Sequence, residues 1–372
     1  MMNIGITCNF EYGFYCNGLQ QNIVLLYEAL EKIGFEPIFI DYSGSGSRGP
    51  RVKLERITSK RIIEPNQIRH QHLDMILFPG ISCNSTIREA AFKKNPNCKL
   101  ISIKYGNNLL TDIHTVFSES KTQFTSWNYG DEFVDITLVS PHYQFAESYY
   151  ELMEGCQTGI MPYIWDSSFI EDTAKEVGLT LKYRPTLRPN IAVLEPNLNF
   201  TKNCLIPVLS ISKLLLEHPK CINKSYIYCS DHVINDEDRK DVKDYLTRAT
   251  PIFNHPDRVY FEGRIKTPFI LHRKNPLILS FQHLNALNYI YLEALYLNYP
   301  LVHNSEMMTD SGYYYEAFDI NECSKKIKQA SEEHNDNLEY YEIQSHNTVY
   351  KYSIDNPEVL KNIESTIISC VK

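Results

Sequence analysis

The chain has 372 residues, of which 43% are hydrophobic and 22% charged, and a formal net charge of −8. One hydrophobic core serves about 250 to 300 residues, so two domains are expected, and the balanced composition excludes a disordered or fibrous chain. The acid excess argues against a surface that neutralises a nucleic-acid backbone. No window reaches the run of about 18 apolar residues that a membrane span needs and no basic-then-apolar leader opens the chain, so a soluble cytoplasmic protein is expected, without excluding peripheral membrane contact.

In chain order, Asn3 to Asn9 alternates as a buried strand, a Gly- and Asn-containing turn follows, and Gln20 to Ile33 has helical periodicity. Glu36 to Asp41 is a second strand, which makes a βαβ unit with parallel strands. The rhythm continues through the strand Met75–Phe78, a helix from Ser85 to Lys94, and the strands Leu100–Lys104 and Ile136–Val139. Between them, the Ser- and Gly-rich stretch from Tyr42 to Arg51 lacks the spacing of a phosphate cradle and reads as a flexible connection. Pro185 and Pro189 among Lys182, Arg184 and Arg188 suit an exposed hinge. Beyond it strands and helices alternate again: Ile191–Leu194, a helix from Asn203 to Glu217, Ser225–Cys229, a helix after Asn235, Val259–Phe261, Leu277–Ser280, a helix from Ala286 to Asn298, and Leu301–His303. From Ile320 the chain reads as helical, ending in an amphipathic segment from Pro357 to Val371. The expectation is an α/β protein with two Rossmann-like, doubly wound domains over residues 1–185 and 186–352 and a C-terminal helix over 353–372.

The ten cysteines form no Cys-x-x-Cys pair and read as reduced thiols. His70 and His72 are two ligands without a third, and Asp236-Glu237-Asp238 opens a charged helix. Neither pattern closes a metal site, and no metal is expected.

Ligands of parallel α/β domains gather at the carboxyl ends of strands. There, Asn197, Asn199, Thr201 and Lys202 lead into a helix whose free amides, with Lys202, can meet a diphosphate; the plainer reading is a helix cap by Asn199 or Thr201. Gly263 permits close backbone approach, with Arg264 and Lys266 in reach of phosphate or simply solvated. Glu293 lies inside an otherwise apolar helix stopped by Pro300, and an ionised carboxylate suits a ribose diol, although a lone helical Glu is more often a surface residue. His303, Asn304 and Ser305 end the next strand, and Gly312, Tyr313 and Tyr314 offer amides and hydroxyls, or else pack as aromatics. In the first domain Gly13, Asn17, Gly18 and Gln21 occupy the first strand–helix loop, and Lys104 ends another strand. His142 and Asp112 are the candidate catalytic bases.

Glu293-Ala294-Leu295, Pro300 and the apolar Leu301-Val302 resemble the Glu-Ala-Leu…Pro-Val-Val signature of GT-B glycosyltransferases. The chain departs from it at Asn298-Tyr299, where glycine is usual, and in lacking the later Gly-Gly-x-x-Glu element. Asn17–Asn22, Pro162–Asp166, Glu195–Asn199, and Pro300–Ser305 followed by Gly312–Tyr315 resemble a narrower GT-B-like family of unknown function found in bacteria, phages and large viruses. The resemblance implies two domains facing a cleft, a C-terminal helix crossing back, and Glu293 on the donor's ribose. It further implies metal- and cofactor-independent transfer of a sugar from a nucleotide diphosphate sugar to a hydroxyl of a carbohydrate or glycoconjugate acceptor. A GT-B-fold nucleotide-sugar epimerase and a non-catalytic nucleotide-sugar-binding protein are the alternatives. A dinucleotide dehydrogenase is disfavoured because neither domain opens with G-x-G-x-x-G.

Overall fold

The computed structural model describes residues 2–10, 18–43, 57, 59–117, 133–234, 240–250, 252, 255 and 257–371. The predicted loop residues Gly13 and Asn17, most of the stretch 42–51 and the acidic triplet 236–238 lie outside them. The chain divides into two units, residues Met1–Asp166 with Lys351–Lys372, and Ser167–Tyr350.

Unit 1 runs β1 (Asn3–Cys8), α1 (Leu19–Ile33), β2 (Glu36–Asp41), β3 (Ile62–Ile63), β4 (Met75–Pro79), α2 (Ser85–Phe92), β5 (Lys99–Lys104), α3 (Asn108–Phe117), β6 (Ile136–Val139), α4 (Glu147–Glu154) and β7 (Gln157–Ile160). Its strands are parallel and ordered β3-β2-β1-β4-β5-β6-β7. Helices cover both faces of such a sheet, which is why β1, β2 and β4 are apolar almost throughout rather than alternating. A Cβ on Gly5 would come within 2.7 Å of Ile40 Cδ1, so glycine lets β1 accept its neighbour's side chain. Helix α1 ends at Gly34, whose φ of 97° allows its amide to reach back to the last turn.

Unit 2 runs α5 (Ser168–Glu176), β8 (Asn190–Val193), α6 (Leu205–Glu217), β9 (Ser225–Ile227), α7 (Asp231–Ile234), α8 (Lys240–Ala249), β10 (Val259–Phe261), α9 (Thr267–Lys274), β11 (Pro276–Leu279), α10 (Tyr289–Tyr296), β12 (Leu301–His303), β13 (Tyr313–Tyr314), α11 (Ile320–Glu333) and α12 (Leu338–Tyr350). Its parallel strands are ordered β10-β9-β8-β11-β12-β13. Counted from its own first strand, this is the 3-2-1-4-5-6 order of a dinucleotide-type sheet, with the reversal of winding between β8 and β11. Ile191, Val193, Ile211, Leu214, Leu277, Leu279 and Val302 fill one core beneath α6 and α11.

The chain then returns to unit 1 as α13 (Pro357–Ser369), capped by Asn356 Oδ1 on Glu358 N. It packs beside α1, and Thr366 Oγ1 donates to Ile160 O at 3.3 Å.

The units change over between Asp166 and Ser167 and again at Lys351, whereas the sequence reading divides the chain after 185 and after 352. The residues read as a hinge are tied down within unit 2. Tyr183 N donates to Leu297 O at 3.0 Å, Arg184 N to Asn275 Oδ1 at 3.0 Å, and Arg184 Nη2 to His272 O at 3.0 Å.

Candidate functional site

The reversal of winding in unit 2 brings the chain after β8 beside the chain after β11. Glu195 stands there, 3% exposed. Its Oε1 accepts the Ser280 hydroxyl and, at 3.2 Å, the Phe281 amide. The Ser280 hydroxyl is in turn 2.8 Å from Tyr291 OH on α10, and Tyr315 OH donates to Ser280 O at 2.8 Å. Burial pushes the Glu195 carboxyl up to about 7, against the lowering effect of the Ser280 bond, nearby Lys202 and the Phe281 amide.

Lys202 is delivered to this point by the loop between β8 and α6. Asn199 pairs with Lys202 and Lys202 with Gln282 as isolated bridges, and His283 N donates to Thr201 O at 2.7 Å. The Lys202 side chain makes no hydrogen bond, and no ion pair within 4.0 Å, among the described residues. Desolvation lowers its pKa from the usual lysine value, and Glu195 opposes the shift. Gln282 beside them is 5% exposed, and its Nε2 is buried without a hydrogen-bond partner, although the side chain sits close enough to favour the ionised Glu195. A partly buried positive charge and a buried amide donor, neither with a hydrogen-bond acceptor among the described residues, are a pair that can meet an anion.

The other predicted residues of this loop hold it in shape. Asn197, at φ 55°, donates its amide to Glu195 O, Tyr228 O and Cys229 O at 2.9–3.2 Å and accepts Cys204 N at 2.7 Å. Asn199 Oδ1 accepts both Thr201 N and Thr201 Oγ1. Leu205 N is taken by Asn203 Oδ1, and Pro207 has no N–H. The expected bouquet of free amides at the start of α6 is therefore reduced, because neighbouring asparagines satisfy two of them. Lys202 is the cation that this loop carries to the strand ends.

Glu293 lies on α10, 6% exposed, and its carboxyl makes no hydrogen bond or ion pair among the described residues. Desolvation alone pushes it up to about 8. The sequence reading treats it as an ionised acceptor; burial instead keeps it protonated at neutral pH, able both to donate and to accept. Helix α10 begins at Tyr289 because Asn288 caps it, Oδ1 on Ile290 N, three residues later than the periodicity suggests.

After β12 the predicted residues are largely spent on structure. His303 is fully buried: Nδ1 accepts Ser305 N at 3.1 Å, so Nε2 carries the proton and donates to Ser311 O at 2.8 Å. Desolvation holds this imidazole down at about 4, and hence neutral. Asn304 exchanges two bonds with the Gln282 backbone, and the Ser305 hydroxyl donates to Ala286 O. Gly312 has φ 65°, and a Cβ there would meet Leu301 O at 2.8 Å. Tyr313 OH meets His334 Nδ1 at 3.2 Å with its ring stacked on Tyr341, while the Tyr314 ring lies 6.0 Å from that of His303. Beside β10, Arg264 and Lys266 are exposed, and Gly263 O is reached by Cys229 N at 3.5 Å.

In unit 1, Gly18 begins α1 without a side-chain cap and Gln21 is buried in its first turn. Lys104 is not a free cation: it pairs with Glu154 at 2.5 Å, both 4% exposed, and lies against the Tyr150 ring. Asp112 accepts Tyr149 OH at 2.5 Å. His142 is buried between Tyr143 and Tyr163, with ring centroids 3.9 and 5.5 Å away.

Glu195, Ser280, Gln282 and Tyr291 are absent from the sequence-derived site. The strand-end rule points to the first three, since Glu195 follows β8 and the others follow β11. Two grooves, about 960 Å³ around Arg69, Asn84 and Arg88 in unit 1 and about 570 Å³ around Arg188, His218 and Asn335 in unit 2, contain none of the predicted residues. The second lies at the amino edge of its sheet, opposite the strand ends.

Among solved structures, the fold is similar to sucrose-phosphate synthase from Thermosynechococcus elongatus, at 10% identity and TM-score 0.55 over 99% of both chains. It is also similar to an alpha-glucosyltransferase in complex with UDP-glucose and DNA containing an abasic site, at 12% identity and TM-score 0.61 over 99% of both chains. A further alpha-glucosyltransferase complex, with UDP and a 13-mer DNA containing a HMU base, matches at 10% identity and TM-score 0.60 over 100% of this chain and 99% of that one. These are GT-B glycosyltransferases, and the likeness over the full chain establishes the GT-B, α/β fold with its two parallel sheets. No helix among the described residues is long and apolar enough to cross a membrane. No curated protein matches the sequence. A family model does, that of Protein of unknown function (DUF2827), over residues 4–367, and the chain belongs to that family.

Proposed function

We propose that this protein is a glycosyltransferase that moves a sugar from a nucleotide diphosphate sugar to an acceptor hydroxyl on a glycan, a lipid or a protein glycan. The observation that carries the reading is the partly buried Lys202 ammonium, without a counter-ion within 4.0 Å among the described residues, at the switch point of a 3-2-1-4-5-6 sheet. Glu293 supports it, as a buried carboxyl with no protein partner among the described residues, suited to a ribose diol.

In the reaction, the acceptor oxygen forms a bond to the anomeric carbon as the bond from that carbon to the diphosphate oxygen breaks, and the diphosphate leaves with the electron pair. Lys202 stabilises the charge that develops on it, and Gln282 Nε2 is a second donor. The acceptor proton passes to a general base or to solvent water. The solvated Arg264 and Lys266 add positive field beside the nucleotide. No metal is assigned to the step. The net charge of −8 favours a carbohydrate or glycoconjugate acceptor over a nucleic acid.

Calorimetric titration with UDP-, ADP-, GDP- and dTDP-glucose tests the reading, with Lys202→Ala and Glu293→Ala beside the parent. A charge-assisted hydrogen bond contributes about 1.5 to 3 kcal/mol, so Lys202→Ala should weaken binding by about 10- to 100-fold. If none of the four ligands binds the parent, or if both variants bind as the parent does, the site is wrong.

A further inference from the structure

The buried Glu195 and the partly buried Lys202 at the switch point carry opposite charge, and an anionic ligand suits only one of them. Glu195 and Lys202 stand on the same loop system, near enough that each alters the other's ionisation, yet not in contact within 4.0 Å. A diphosphate drawn to Lys202 therefore arrives beside a carboxylate with no room to retreat. Glu195 is held from β11 by Ser280 Oγ and Phe281 N, and that hydroxyl is itself oriented by Tyr291 OH at 2.8 Å. Both bonds end on Oε1, which leaves Oε2 as the atom to accept a proton. Once protonated, Oε2 changes from an acceptor that repels phosphate oxygen into a donor that can bind it.

We propose that Glu195 is a proton-linked specificity residue of the anion site, which takes up one proton when the diphosphate of the donor binds beside Lys202. This rests on the nucleotide-sugar reading above and goes beyond it, since the chemistry of transfer does not require it. The groups facing Glu195 are consistent with a lone titration near neutrality. From the β8–α6 loop come Lys202 and, at the start of α6, the Cys204 thiol; from the end of β9, Cys229; from α10, Tyr291; and after β13, Tyr315. Burial raises both thiols and both phenols, so they stay neutral through the range in which Glu195, pushed up to about 7, exchanges its proton.

The sign follows from linkage. If the bound state holds Glu195 protonated, affinity is constant below the ligand-free pKa and falls by about tenfold per pH unit above it. Glu195→Gln imitates the protonated acid: its carbonyl still accepts from Ser280 and Phe281, and its amide donates.

The experiment uses the full chain and whichever of UDP-, ADP-, GDP- and dTDP-glucose binds most tightly, because these diphosphate diesters do not titrate between pH 6 and 9. Titrations from pH 6 to 8.5, in two buffers of different ionisation heat, read affinity and protons taken up together. The parent should lose about tenfold in affinity between pH 7.5 and 8.5 and take up a fraction of a proton approaching one. Glu195→Gln should bind at least as tightly as the parent at pH 8.5 and take up less by that fraction. Glu293, which burial brings to about 8, contributes to both proteins alike, so the difference between them isolates Glu195.

Ser280→Ala is the second variant. Without the hydroxyl that favours the ionised acid, the pH at which affinity begins to fall should move upward, an effect that a purely structural role for Ser280 does not produce. Equal proton uptake and equal pH dependence in the parent and Glu195→Gln overturn the proposal while leaving the nucleotide reading intact. No binding of any of the four ligands to the parent overturns both.

Discussion

Replacing Glu293 by glutamine should make the protein more stable at alkaline pH and leave it unchanged at acid pH. Burial raises this carboxyl from 4.5 to about 8, with no charge or hydrogen bond to offset the desolvation. A group whose folded pKa lies above its unfolded value holds its proton longer in the folded state. Its contribution is fully present below the unfolded pKa, declines as pH rises past 4.5, and is at its least above the folded value near 8. Each pKa unit is about 1.4 kcal/mol, so between pH 5 and 8 the native state should lose about 3 to 4 kcal/mol through this residue alone. Glutamine has the shape of the neutral acid and does not titrate. Urea denaturation followed by circular dichroism at pH 5, 6, 7 and 8 provides the assay. The gap between variant and parent should open steadily with pH, reaching about 4 kcal/mol at pH 8. A variant that follows the parent's pH dependence within about 1 kcal/mol would falsify the assignment of Glu293 as a buried, unpartnered acid.

The Lys104–Glu154 pair predicts a different pattern. Lys104→Met leaves a carboxylate buried without its counter-ion and should cost about 3 to 5 kcal/mol in urea denaturation, most of which Lys104→Met with Glu154→Leu should recover. If the single variant is as stable as the parent, the pair is not holding β5 to α4. Gly312→Ala puts a Cβ 2.8 Å from Leu301 O at a φ of 65°, so a loss of about 2 kcal/mol or more is expected, and an unchanged melting temperature contradicts the close approach of Gly312 to β12.

The long strands were readable because burial on both faces writes them as continuous apolar runs, such as Met75-Ile76-Leu77-Phe78, and the helices between them keep their 3.6-residue period. The edges of the sheets were not. β3 and β13 have two residues each, and β7 reads Gln157-Thr158-Gly159-Ile160, so pairing with a neighbour defines these strands where local pattern does not. Around Pro185 the composition is likewise that of a linker, but Asn275 and Leu297, distant in sequence, supply hydrogen bonds to Arg184 and Tyr183.

Lys202 and Glu293 stand out in the sequence from a strand end and from a signature, and both side chains are without a hydrogen-bond partner among the described residues. Glu195 does not stand out locally, because its carboxyl is held by Ser280 and Phe281, 85 and 86 residues away. His303 and Asn304 stood out as polar residues after a strand, yet each is consumed by backbone partners that no local pattern reveals. Lys104 carried the same false signal, with its counter-ion 50 residues further along at Glu154.

The loop from Glu195 to Cys204 contains no glycine. Phosphate-binding turns commonly rely on glycine, whose bare backbone wraps the ligand but must be ordered each time it does so. Here asparagine side chains take over the geometric work: Asn197 sutures the turn to the end of β9, Asn199 folds it on Thr201, and Asn203 closes onto Leu205. Such a turn is already set by its own side chains, so the anion proposed for it would cost little ordering entropy on binding. Its reach is fixed by three carboxamides, and its vulnerability moves with them, from backbone freedom to the identity of single side chains.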